Sequence, residues 1–200
     1  MDLHVRAAVA GDVPAAAGVL ADAFGDYPWT RWTVDAERHA ERLTALHRLF
    51  LAEVAVPFGR VDLGEVEEEP AGVAVWVTGT AVPGEVWSRV GPVAAELAGD
   101  RAGAAAEAEA VLDAHRPARP HVVLASLGVA PHRQGRGVGA VVVARGLERA
   151  DREGLPVHLE TSAPANVSFY RRLGFTVSGV VDLPGGGPRT WLMHRELDRR

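Results

Sequence analysis

Residues 121–160 decide the fold, and they read HVVLASLGVAPHRQGRGVGAVVVARGLERADREGLPVHLE. The stretch begins with an apolar run rich in valine and leucine, which predicts a buried strand over 121–129. A glycine-rich turn follows, then apolar residues at helical spacing over 138–154, and a second short strand over 155–160. A strand, a helix and a further strand in this order predict one βαβ unit.

The turn that opens this helix, PHRQGRGVGAVVV (131–143), suits an anion. A glycine turn at a helix N-terminus presents unpaired backbone N–H groups and the positive end of the helix dipole. Gly135, Gly137 and Ala140 spell G-x-G-x-x-A, the dinucleotide fingerprint, and Glu160 ends the next strand where that fold keeps its ribose-binding acid. Gln134, Gly137 and Gly139 spell Q-x-x-G-x-G, a different signature.

The position of the turn weakens the dinucleotide interpretation. That fingerprint normally lies in the first βαβ unit of a long doubly wound sheet, whereas here it begins after residue 130. The residues APHRQ (130–134) also separate the strand from the first glycine, which makes the turn looser than the tight bend of that fold. A dinucleotide site and a helix start without any ligand both remain open alternatives at this point.

Composition excludes several classes of protein. The chain has no cysteine and no lysine, so we expect no disulfide, no thiolate metal site, no P-loop lysine and no lysine Schiff base. The eight histidines show no metal-ligand spacing, and no G-x-S-x-G motif occurs. A net charge of −5 argues against a nucleic-acid partner.

Hydropathy predicts neither a membrane span nor a signal peptide. We therefore expect a cytoplasmic protein with no membrane partner, folded as a single domain over 1–200. Outside the βαβ unit, we predict further short strands and helices. The predicted strands are 3–9, 58–64, 71–78, 175–183 and 188–197, and the predicted helices are 14–24, one after Asp35, two within 84–115 and one from Pro164.

This order of elements, with Q-x-x-G-x-G at 134–139, resembles the GCN5-related N-acetyltransferases (GNAT). The resemblance implies an α/β (α+β) fold with a mixed, mostly antiparallel sheet of six to seven strands, flanking helices and a splayed cleft. It implies acetyl-coenzyme A as co-substrate and no metal. Leu127, Gly128 and Val129 would pair with the pantetheine arm. The pyrophosphate would lie on the backbone of the turn, which comprises Gln134, Gly135, Arg136, Gly137, Val138, Gly139 and Ala140.

The same resemblance implies roles for residues of the second half of the site. Asn166 would touch the cofactor arm, and Tyr170, one helical turn later, would lie near the sulfur and protonate the departing thiolate. The N–H of Leu127 would stabilise the oxyanion. Glu160 is the candidate general base, because it ends the strand beside the thioester position, and a buried acid bonded to backbone is the alternative.

Four stretches resemble, more narrowly, the puromycin-acetylating members of that family: 23–51, 114–117, 159–177 and 187–193. This implies a small-molecule primary amine as acceptor, puromycin or a related aminonucleoside, and a role in antibiotic resistance. Asp26, Tyr27, Trp29 and Trp32 would line the acceptor pocket. The alternatives are another amine metabolite, a protein N-terminus, or a coenzyme A-binding module without turnover. We expect a monomer or a homodimer.

Overall fold

The computed structural model describes residues 2–78 and 81–197, and within them seven strands form one sheet. The strands are β1 (Leu3–Ala7), β2 (Arg60–Val66), β3 (Glu69–Thr78), β4 (Val122–Val129), β5 (Val157–Thr161), β6 (Thr176–Asp182) and β7 (Arg189–Arg195). Their order in the sheet is β1-β2-β3-β4-β5-β7-β6. Only β4 and β5 run parallel, so the sheet is mixed and mostly antiparallel, which confirms the predicted fold class.

Helices occupy most of the remaining chain. They are α1 (Val13–Phe24), α2 (Pro28–Thr33), α3 (His39–Phe50), α4 (Val56–Phe58), α5 (Gly84–Ala98), α6 (Ala102–Asp113), α7 (Val138–Glu153) and α8 (Pro164–Arg172). A π-helical turn, Leu51–Ala55, joins α3 to α4. No helix in the described part of the chain has both the length and the apolar character required to cross a membrane.

Strand β3 lies at the centre of the core because both of its faces are covered. Val73 and Val75 point to one face and pack in a cluster with α1, whereas Ala74 and Trp76 point to the other and pack with α7. This alternation follows from the two-residue period of a strand. A run of apolar residues over 71–77 is therefore what a strand buried on both faces requires.

Helix α7 approaches the sheet closely because glycines lie on both sides of the contact, Gly64 in β2 and Gly146 in α7. An added Cβ at Gly64 would come within 2.5 Å of Val142, and one at Gly146 within 2.1 Å of the Trp76 ring. The indole of Trp76, 2% exposed, thus takes the place that a side chain on α7 would otherwise fill. This contact fixes the position of α7 and of the glycine turn that precedes it.

Two local predictions differ from the structure. The sequence predicts no helix between residue 24 and Asp35, yet Pro28 begins the short helix α2, whose Trp29 and Trp32 gain burial only against distant parts of the chain. The predicted strands 58–64 and 71–78 leave six residues between them, but in the structure the strands run on, and Glu67 and Glu68 alone form the turn, with φ of 56° and 66°. Paired strands extend to such a two-residue turn because its twist matches theirs.

The close packing of Gly146 can be tested with alanine. We expect Gly146→Ala to lower the free energy of unfolding by about 1–3 kcal/mol, because the new methyl group overlaps the Trp76 ring. Urea unfolding followed by tryptophan fluorescence measures this. Gly103→Ala in α6 is the matched control, since its Cβ meets nothing within 4 Å and should stabilise by up to about 1 kcal/mol. Equal effects of the two substitutions would contradict the packing argument.

Candidate active site

The cleft begins where β4 and β5 stop pairing. The two strands are paired only through Val122 with Val157 and Val123 with His158. Beyond these residues β4 pairs with β3 alone, and β5 pairs with β7 alone. The second half of β4, including Leu127, Gly128 and Val129, therefore has a free edge, which is the geometry predicted for an added extended chain.

A bulge in β4 accompanies this separation. Val75 of β3 pairs with Ser126 and the next residue, Trp76, pairs with Leu124, so Ala125 is an extra residue in β4. A bulge bends its strand and increases the local twist. The bend lies directly after the last pair with β5, and it carries the second half of β4 away from that strand.

The glycine turn lies at the end of this free edge. Gly135 and Gly137 have φ of 73° and 84°, values that other residues rarely adopt. The backbone N–H groups of residues 135–140 donate to no acceptor within the described residues, and the first bond of α7 runs from the Val141 N–H to the Gly137 carbonyl over 3.2 Å. Six successive free N–H groups at a helix N-terminus form a cradle for an anion.

The other residues of the turn hold this cradle in place. Gln134 donates its side-chain amide to the Val129 carbonyl over 3.0 Å and so ties the turn to the end of β4. Val138 is 1% exposed and anchors the start of α7 in the core. Gly139 leaves room for Val129 and Phe169, whose atoms would lie 3.3 and 3.7 Å from an added Cβ. Arg136 is exposed beside the cradle.

Tyr170 lies on α8, across the cleft from the free edge of β4, with its ring in the core. The ring contacts Phe169 and Phe175 edge-on, with centroids 5.1 and 5.6 Å away, and the residue is 7% exposed. Its hydroxyl makes no hydrogen bond with any described residue, and it is not among the fully buried unpaired polar atoms, so it keeps contact with solvent. Burial, and then the neighbouring Tyr27, raise the pKa of Tyr170, which keeps the phenol protonated at neutral pH.

Tyr27 and Asn166 meet at the end of β5. The Tyr27 hydroxyl accepts a hydrogen bond from the Ser162 N–H at 2.5 Å and lies 2.9 Å from the Thr161 hydroxyl. Asn166 donates its side-chain amide to the same Thr161 oxygen over 3.1 Å. The structure thus brings both predicted residues together, with Thr161 as the link that sequence reasoning missed. ETSAP (160–164), the junction of β5 and α8, was the available signal.

Glu160 forms the centre of an ion network. Both of its oxygens accept hydrogen bonds from Arg116, over 2.8 and 3.0 Å, and His158 Nε2 lies 3.3 Å from Oε1. Burial alone would raise the pKa of Glu160, but the hydrogen bonds from His158 and Arg116 outweigh it and lower the pKa to about 2. Arg116 also pairs with Glu109 on α6 over 3.0 Å. Arg116 is not among the site residues predicted from the sequence, because no local motif marks the segment 115–120.

The predicted acceptor residues are divided between two environments. Tyr27 faces the cleft, as described above, and Asp26 is exposed beside it. The Trp32 ring packs against the 184–187 turn and beneath the Arg101 guanidinium, which lies 5.2 Å from its centroid. Trp29 joins Trp32 in a cluster with α6. These contacts hold α2 against α6 and against the β6–β7 end of the sheet.

Among the described residues, no group of three or more histidine, aspartate or glutamate side chains is arranged to hold a metal ion.

Solved structures with the same fold are numerous, and three illustrate their range. A structure titled histone acetyltransferase HPA2 and related acetyltransferase, from Corynebacterium glutamicum, is 24% identical over 100% of this chain and 99% of that chain, with a TM-score of 0.74. The polyamine N-acetyltransferase of Drosophila melanogaster, which forms N-acetylagmatine, is 16% identical over 98% and 100%, with a TM-score of 0.70. The ribosomal-protein-S18-alanine N-acetyltransferase of Escherichia coli is 14% identical over 100% and 96%, with a TM-score of 0.60.

These structural similarities show the fold alone. Membership of a family is shown by the match of the sequence to a family model. The model of the acetyltransferase (GNAT) family matches residues 67–175, which is more than half of the chain and runs from the hairpin turn through the glycine turn to the end of α8. The chain therefore belongs to the acetyltransferase (GNAT) family and is an N-acetyltransferase.

Proposed function

We propose that the protein transfers an acetyl group from acetyl-coenzyme A to the primary amine of a small molecule, with puromycin or a related aminonucleoside as the leading acceptor. The single observation that supports the cofactor assignment is the cradle of free N–H groups at 135–140 beside the free edge of β4. GNAT enzymes use acetyl-coenzyme A as the acetyl donor. The residues present fit that molecule, because the cradle suits a pyrophosphate and the edge suits an amide-containing arm.

Acetyl transfer requires three things of the residues around the cleft. The amine must lose a proton and form a bond to the acetyl carbon, the carbonyl oxygen must be stabilised while it carries negative charge, and the bond to sulfur must break with a proton supplied to the thiolate. Acetyl-coenzyme A supplies the activated acetyl group. We assign the stabilising N–H to Leu127, on the free half of β4.

Tyr170 is the proposed general acid. Its hydroxyl is bound to no described residue, touches solvent and is protonated at neutral pH, and because burial raises its pKa it gives up its proton less readily than a free phenol. A phenol held in this way can give its proton from Oη to a departing thiolate. Asn166 and Tyr27, both held by Thr161, form the adjoining wall.

Glu160 stays a proposed base, with a constraint that the sequence did not reveal. A carboxylate with a pKa of about 2 is ionised throughout the physiological range, so it attracts an ammonium group strongly but holds a transferred proton only briefly. We propose that Glu160 first binds the cationic amine and then passes the proton on to water. Glu109 and Asp113, which share Arg116 with it, add further negative charge on this side of the cleft.

The charge and the aromatic ring of this wall indicate which kind of acceptor it would bind. Negative charge favours a cationic amine, and the aromatic ring of Tyr27 favours an aromatic group next to it. Puromycin, whose free amine belongs to an O-methyltyrosyl group, has both features. The structural neighbours include a polyamine N-acetyltransferase, an agmatine N-acetyltransferase and a ribosomal-protein alanine N-acetyltransferase, which supports an amine acceptor without choosing between these three kinds.

The acceptor can be identified by a thiol-release assay with acetyl-coenzyme A. The panel is puromycin, agmatine and a peptide with an N-terminal alanine, and we expect puromycin to give the highest kcat/KM. A higher value for either other amine would replace puromycin as the acceptor. Cofactor binding without acetylation of any amine would instead indicate a binding module, and stabilisation by NAD rather than coenzyme A in a thermal-shift comparison would restore the dinucleotide interpretation.

Removal of the Tyr170 hydroxyl should slow the chemical step. We expect Tyr170→Phe to lower kcat by about 100-fold or more, as loss of a general acid does, while coenzyme A affinity measured by calorimetry stays unchanged. Tyr27→Phe is the matched comparison, because the chain has two tyrosines. It should mainly raise KM for the acceptor. A kcat for Tyr170→Phe within about twofold of the parent would exclude the acid role.

The Arg116–Glu160 pair predicts a change in pH dependence. In the parent protein Glu160 stays charged well below pH 5, since its pKa lies near 2. In the double variant Arg116→Met with His158→Phe, both hydrogen bonds that lower this pKa are lost and burial remains, so the pKa should rise above the ordinary value and Glu160 would become protonated as the pH falls from 7 to 5. We expect KM for the amine to rise about tenfold over this range in the variant only.

The control for this experiment is Arg119→Met. Arg119 is a neighbouring, more exposed arginine that pairs with Glu196 instead of Glu160. The substitution Arg119→Met removes one positive charge without changing the ion network around Glu160. The dependence of its KM on pH should therefore follow that of the parent. Parallel profiles in all three proteins would contradict the proposed role of Glu160 in binding the ammonium group.

A further inference from the structure

A cavity of about 440 Å³ lies between the second half of α7 and the paired strands β1 and β2. Four arginines line it: Arg60 at the start of β2, and Arg145, Arg149 and Arg152 on α7. No residue assigned to the acetyl-transfer site belongs to its lining. Its volume falls in the range of about 300–1,000 Å³ typical of small-molecule sites, which is larger than a single inorganic ion needs.

The three arginines of α7 form one stripe. Positions 145, 149 and 152 are separated by four and three residues, so their side chains lie on the same helix face. At a rise of about 1.5 Å per residue the stripe spans about 10 Å. Arg60 approaches from the strand side, so the cavity has cationic groups on two walls.

Two of the four arginines, Arg145 and Arg149, share the single negative charge of Asp62. Asp62, which is 1% exposed, lies 3.3 Å from Arg145 Nε and 3.2 Å from Arg149 Nη2. A buried carboxylate shared by two guanidinium groups holds both in fixed positions at the cavity wall. The pairing therefore orients Arg145 and Arg149. It does not involve the other two arginines of the lining, Arg60 and Arg152.

Arg60 and Arg152 have no acidic partner. Arg60 donates to the Gly59 carbonyl over 2.7 Å, and Arg152 makes no hydrogen bond or ion pair, within the described residues. Glu148 borders the same cavity but pairs with neither. In a chain of net charge −5, this concentration of unpaired positive charge departs from the rest of the protein.

The cavity and the anion cradle lie at different ends of α7. The cradle occupies residues 135–140 at the start of the helix, and Arg149 lies twelve residues after Gly137. This separation along the axis is about 18 Å. A ligand held by the arginine stripe is therefore a second ligand, in addition to coenzyme A.

We propose that this cavity binds a small multivalent oxyanion, a ligand with two or more phosphate or carboxylate groups. Guanidinium groups bind both kinds of oxyanion through paired N–H donors, and a stripe of about 10 Å can meet more than one such group at once. Asp62 presets Arg145 and Arg149, and the ligand supplies the negative charge that Arg60 and Arg152 lack.

The test is calorimetric titration of the full chain with tripolyphosphate and, separately, with citrate, at constant ionic strength and with coenzyme A present at saturation. The two probes distinguish phosphate from carboxylate. Saturating coenzyme A keeps the cradle occupied, so binding there cannot be mistaken for binding to the stripe. We expect one equivalent of at least one probe to bind.

The double variant Arg60→Gln and Arg152→Gln should weaken that binding by about tenfold or more. Both side chains are exposed and unpaired, so the unfolding midpoint should stay that of the parent. The matched control is Arg48→Gln with Arg171→Gln, two exposed arginines outside the cavity lining. No binding of either probe, or equal weakening in both double variants, would overturn the proposal.

Discussion

The separation of β4 from β5 is the constraint on which the rest of the molecule depends. Two parallel strands that pair over their whole length would leave no free edge and no space for a ligand. Here pairing ends after Val123 and His158, and the bulge at Ala125 turns β4 aside. The cost is a set of unpaired backbone groups at the centre of the sheet, which a bound chain can satisfy.

The elements around the cleft follow from that opening. Helix α7, seated on the sheet by the contact between Gly146 and Trp76, brings the free N–H groups of its first turn to the end of the β4 edge. Helix α8 follows directly from β5 and brings Tyr170 to the opposite side. The proposed cofactor half of the site is thus built from backbone and two short connections, which explains why it can be seen in a single local stretch.

The acceptor half is built differently. Glu160 points to the face of β5 opposite the buried Leu159, and its partner Arg116 comes from the segment before β4, 44 residues earlier in the chain. Tyr27 reaches Ser162 across 135 positions. The contact with Arg116 helps to lower the pKa of Glu160, so the charge of the proposed acceptor side depends on long-range pairings.

The sequence by itself determined the βαβ unit, the glycine turn and most helix and strand positions, because these depend on local periodicity and glycine conformation, whereas the mixed sheet was implied by the resemblance to the family. The resemblance to the family, read from the sequence, also pointed to Asn166 and Tyr170, which are four positions apart on one helix. Only the tertiary structure decided the pairing of Glu160 with Arg116, the link through Thr161, the helix α2 and the arginine-lined cavity. The reason is physical: the pKa of a carboxylate, and the burial of Trp29 and Trp32, depend on residues that are far apart along the chain and adjacent only after folding.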